Sequence, residues 1–69
     1  MSHDFAHLTR ADQHIAGIKE RINKQQELIE RLAANGHSVR DAEGFLSALN
    51  GVLSAFENHR LLIRHWLRP

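Results

Sequence analysis

The chain has 69 residues, 42% of them hydrophobic and 25% charged, with one proline and no cysteine. That is a folding composition, enough for one small domain at most, and it excludes disulfides as staples. Nine Lys and Arg against eight Asp and Glu leave a net charge of +1, which excludes a whole-chain electrostatic footprint for nucleic acid or an anionic membrane, while six histidines make the charge sensitive to mild acid.

Small chains without staples lean on a metal or on a second subunit. The longest apolar run, Leu61-Leu62-Ile63, is far too short to span a bilayer. The start, Met1-Ser2-His3-Asp4-Phe5, has no basic segment followed by an apolar one, so no secretion signal is expected and the cytoplasm is the expected location.

Residues 1–8 carry no strong period and are read as a frayed segment or an added turn. Thr9-Arg10-Ala11-Asp12 reads as a helix start, a hydroxyl N-cap with a carboxylate three residues on. Ala11, Ile15, Ile18, Ile22, Gln25, Ile29 and Leu32 then recur at spacings of four and three, a heptad seam with one polar member. Glu20–Lys24 and Glu27–Arg31 are expected i,i+4 pairs on its outer surface. Ala33-Ala34-Asn35-Gly36 supplies the left-handed residue that ends a helix. Ser38-Val39-Arg40-Asp41 reads as a second N-cap, and so short a connection makes the two helices antiparallel neighbours.

The second helix carries Ala42, Phe45, Leu46, Leu49, Val52, Leu53, Phe56, Ile63 and Leu67 on an arc of roughly 120°, and Pro69 closes it. The arc is wider than the stripe on the first helix. The column Leu46, Leu53 and Leu67 is expected to point beside the seam and to need cover from a second copy of the hairpin. The fold expected is therefore all-α: one domain over 1–69, an antiparallel hairpin of helices at about 9–34 and 38–68, dimerising into a four-helix bundle. Ile15, Ile18, Ile22, Gln25, Ile29, Leu46, Leu49, Leu53 and Phe56 are the expected oligomer interface, with Gln25 a candidate for fixing register.

Three further groupings bear on function. Arg60, Arg64 and Arg68 recur at i,i+4 beside Trp66, a set suited to phosphate contact and base stacking, or simply to the negative end of a helix. His7, His14 and His59 gather at the open end, where His14 should lie across from His59 and Arg60; His3, Asp4 and His7 also share i,i+3 and i,i+4 spacings. A hydrated polar end is preferred there over a metal site, which needs three or four convergent ligands. Gly44, Ala48, Gly51 and Ala55 form a small-residue strip on the second helix, either a docking groove or a solvent face. No catalytic constellation is present: Gly17, Gly36, Gly44 and Gly51 are scattered, Ser38, Ser47 and Ser54 have no His–acid partner, and a hairpin offers no deep pocket.

Asn35-Gly36-His37-Ser38, followed by Ala42, Leu46, Leu49, Leu53 and His59-Arg60-Leu61-Leu62-Ile63, resembles a set of short uncharacterised bacterial helical-hairpin proteins. The resemblance runs from Ala11 onward and implies a helical hairpin with no known activity. In architecture the chain is also similar to small RNA-binding plasmid regulators built as dimers of hairpins, a likeness that licenses no function. The expectation is a non-enzymatic interaction protein without cofactor, pairing with itself and docking another protein. Polyanion binding, nucleic acid included, stands behind it, and His-based metal binding last.

Overall fold

In the computed structural model, which describes residues 2–67 and side chains from Ala6 onward, the chain is two antiparallel helices, α1 (Ser2–Ala34) and α2 (Arg40–Trp66). Their pairing gives a rod of 55 × 15 × 12 Å. There is no strand among the described residues, and no helix in them is long and apolar enough to cross a membrane.

The packing follows a strict two-helix seam. Every described residue that is not exposed falls on one alternating three–four spacing: Leu8, Ala11, Ile15, Ile18, Ile22, Gln25, Ile29 and Leu32 on α1; Val39, Ala42, Leu46, Leu49, Leu53, Phe56, Arg60, Ile63 and Leu67 on α2 and its two cap residues. That spacing averages 3.5 residues, the period that keeps two coiled helices face to face. Among the described residues only Ala11, Ile15, Ile22 and Leu49 are buried, and no side chain of them is fully enclosed. This corrects the reading of α2. Leu46, Leu53 and Leu67 do not stand beside the seam; they lie in it, half-buried by the chain's own α1. The residues left outside are Phe45 and Val52.

Helix boundaries depart from expectation at both N-termini. α1 begins at Ser2, so Thr9 is an interior residue and not an N-cap. The reason is packing: Leu8 adds one more member to the seam, and a helix that gains a buried contact continues past a local capping signal. α2 begins at Arg40, with Val39 at the cap and no side-chain capping bond. The Ser38 hydroxyl still contributes, accepting a long 3.4 Å bond from the Arg40 N–H. Asp41 and Glu43 then lie at the positive end of the α2 dipole, with Arg64 and His65 at the negative end.

The turn is as expected. Gly36 has φ 72°, the left-handed conformation that a Cβ disfavours. The Gly36 N–H bonds the Ala33 carbonyl at 3.1 Å and the His37 N–H bonds the Leu32 carbonyl at 2.8 Å, a Schellman closure of α1. A Cβ at Gly36 would meet nothing within 4 Å, so the penalty for Gly36→Ala is purely conformational. It should be about 1–2 kcal/mol, and thermal unfolding followed by circular dichroism should show Tm lower by several degrees.

The rod is short of burial. It exposes 5634 Å², whereas a compact protein of this mass exposes roughly 4,400 Å². Folding hides only about half of the surface an unfolded chain of this mass offers, against about 60% in self-sufficient domains of similar length.

Candidate interaction face

A two-helix seam divides the surface into two flanks, and on this hairpin they differ in chemistry. On one flank, α2 presents Phe45, Val52, His59 and Trp66 at seven-residue intervals, with Ala48, Ala55 and Leu62 interleaved. Together they repeat the three–four spacing of the seam, one position round the helix. Phe45 is 54% exposed, Val52 42%, Leu62 58% and Trp66 83%. On the other flank α2 presents Glu43, Asn50, Glu57 and Arg64, with Ser47, Ser54 and Leu61 behind them, and of these only Leu61 is a large exposed apolar side chain. α2 thus carries two apolar seams side by side. One is occupied by α1 and the other is open.

α1 borders the open seam with polar groups. His7, His14 and Arg21 precede an exposed Leu28 at seven-residue intervals, and Arg10, Lys24 and Arg31 stand just outside them, all exposed. Glu20 and Lys24 are 3.5 Å apart on the outer surface. Glu27 and Arg31 are not among the ion pairs of the described residues.

Among the described residues two cross-helix polar contacts set the register. Gln25 Nε2 donates to the Ala42 carbonyl at 2.9 Å, so the polar member of the α1 seam binds the first turn of α2 within the same chain. Asp12 pairs with Arg60, whose side chain is half-buried in the α2 seam while its guanidinium reaches the flank. His14 therefore sits across from Phe56, with ring centroids 5.3 Å apart, and not across from His59 and Arg60 as the chain midpoint suggests.

These contacts sort the candidate residues. Ile15, Ile22 and Leu49 from the expected oligomer interface are consumed inside the hairpin, and Gln25 is committed to Ala42. Ile18, Ile29, Leu46, Leu53 and Phe56 remain half-exposed along the seam's edges. Of the arginine row, Arg60 is neutralised by Asp12, Arg64 is exposed, and Arg68 lies outside the described residues. Trp66 belongs to the open apolar row. His7 and His59 line one shallow depression with Leu62, Ile63, Trp66 and Leu67, whereas His14 lies in the next one, against Phe56. Among the described residues no three His, Asp or Glu side chains converge as metal ligands. The side chains of His3 and Asp4 lie outside those described.

Comparison with family models, with curated proteins and with solved structures finds no match.

The open row was visible in the sequence as a repeat of seven, Phe45-Val52-His59-Trp66, but His59 interrupts it and Phe45 and Val52 fit the main arc equally well. Gly44 and Gly51 border the row with open space around them. They leave room beside the alanines and touch nothing in the hairpin.

Proposed function

We propose that this chain is a non-enzymatic interaction protein that works as a homodimer of hairpins, a four-helix bundle that in turn docks a protein partner. The observation that carries the reading is the one-sided apolar row on α2, exposed on a molecule of whose described residues only four are buried. The row runs from Phe45 to Trp66, about 32 Å along α2, as a continuous stripe and not as scattered single side chains. Soluble monomers seldom leave such a row uncovered. The opposite flank supports the second half of the proposal. There Leu61 sits exposed beside a charged hollow formed by Asp12, Lys19, Glu57 and Arg60, the mixture of apolar contact and polar rim typical of transient protein contacts.

The single tryptophan reports on the first half directly. Trp66 is 83% exposed in one chain, and the protein contains no tyrosine, so its fluorescence reads the open row and nothing else. Emission should shift to the blue as protein concentration rises through the dimer dissociation range, with Tm rising in parallel, because association stabilises the fold by mass action. A red, concentration-independent emission together with a monomer by sedimentation would overturn the proposal.

A further inference from the structure

We infer that the partner on the open row is the α2 of a second copy, running antiparallel to the first, with the twofold axis passing near Leu53 and Ser54. The inference rests on the homodimer reading and specifies its geometry.

Charge selects the occupant. If α2 packed on the partner's α1, the apolar row would face Arg10, Arg21, Lys24 and Arg31, all exposed along that helix. Packing on the partner's α2 sets apolar against apolar and leaves those cations in water. The helix dipoles select the direction. Of the charged residues in the end turns of α2, Glu43 and Arg64 lie on the opposite flank, and only Asp41 falls in line with Ala48 and Ala55. A parallel pair would align the two dipoles and set Asp41 on its own copy. An antiparallel pair separates the two carboxylates and opposes the dipoles.

Side-chain size agrees. In the antiparallel register centred between Leu53 and Ser54, Phe45 lies opposite Leu62 of the partner subunit, Ala48 opposite the partner's His59, and Val52 opposite the partner's Ala55. The alanines thus receive larger neighbours. In a parallel pair Ala48 and Ala55 would each meet their own copies, leaving gaps, while Trp66 would meet Trp66. The antiparallel arrangement puts Trp66 over the first turn of the partner's α2, where its indole N–H faces the carboxylate of the partner's Asp41. The row points slightly away from α1, so the two α2 helices touch while the two α1 helices, with His7, His14 and Arg21, stand further apart across water. The contact is isologous and closed, which limits assembly to a dimer.

The absence of cysteine makes the test direct. Three single variants, Ala55→Cys, Ala48→Cys and Ser54→Cys, are treated with a short bis-maleimide after each is shown by sedimentation to keep the wild-type dimer. In the proposed pair the two copies of residue 55 are offset by only about 4.5 Å along the helices, the copies of residue 48 by about 16 Å, and residue 54 lies at the twofold level but on the polar flank. Ala55→Cys should give a linked dimer in high yield, and the other two should stay unlinked. Efficient linking through Ala48→Cys would overturn the antiparallel arrangement, and linking through Ser54→Cys would overturn the choice of flank. A sedimenting dimer in which Ala55→Cys fails to link would likewise overturn this geometry while leaving self-association intact. A wild-type chain that sediments as a monomer and instead pellets with anionic lipid vesicles would remove both proposals, making the open row a membrane contact.

Discussion

Val52→Glu is expected to dissociate the dimer while leaving the hairpin's own seam in place. Val52 is 42% exposed in the single chain, outside the seam packed by α1. In the antiparallel dimer it meets the partner's Ala55 close to the twofold axis, so one substitution changes the interface twice. With 42% of its surface left to bury, each Val52 gains roughly 0.6–1.3 kcal/mol from the contact, and a carboxylate in its place must be desolvated without a paired cation, which costs about 1–3 kcal/mol more. Two such losses come to at least about 3 kcal/mol, or more than a hundredfold in dissociation constant. Sedimentation velocity across a range of concentrations checks this. Leu61→Glu is the matched control, because Leu61 is 60% exposed on the opposite flank and should leave the dimer unchanged. The reverse outcome, dissociation by Leu61→Glu alone, would place self-association on the wrong side of the hairpin.

That control matters because the sequence left the phase of α2 ambiguous. The hairpin itself was legible: Asn35-Gly36 stops α1, and Ala11 to Leu32 repeats with few competing apolar residues, so only one seam fits α1. On α2, two sets share Leu49, Phe56 and Ile63. One adds Leu46, Leu53, Arg60 and Leu67; the other adds Phe45, Val52, His59 and Trp66. Both have three–four spacing, and on residue type an arginine in the seam argues against the first set. Arg60 nevertheless belongs there, because its stem packs while its guanidinium meets Asp12 from α1. A contact between residues 48 positions apart is not read from local spacing. The same tertiary effect carried α1 back to Ser2 and placed His14 on Phe56. For the candidate site, the sequence supplied the surplus of apolar residues on α2, and only the packing of α1 decided which of them stay outside.

The two seams of α2 should also differ in how their loss is felt, and Leu49→Ala against Phe45→Ala separates them. Leu49 is the one α2 residue that is buried, 6% exposed at the middle of the seam. Truncating a buried leucine costs about 2–5 kcal/mol, comparable with the roughly 3–5 kcal/mol that a core of this size supplies in total. Leu49→Ala should therefore lose most of its helical circular dichroism near room temperature, even when the protein is concentrated, because the seam must form before the row outside it can be presented. Phe45 is the larger side chain but is 54% exposed in the single chain, so its removal costs the hairpin little and acts mainly through the dimer. Phe45→Ala should melt near wild type when both are dilute enough to be monomeric, and fall below it as concentration rises and only the wild type gains from association. Melting curves at several concentrations distinguish the two. Should Phe45→Ala lower Tm equally at every concentration, Phe45 would be packing within its own chain and the open row would have to be redrawn without it.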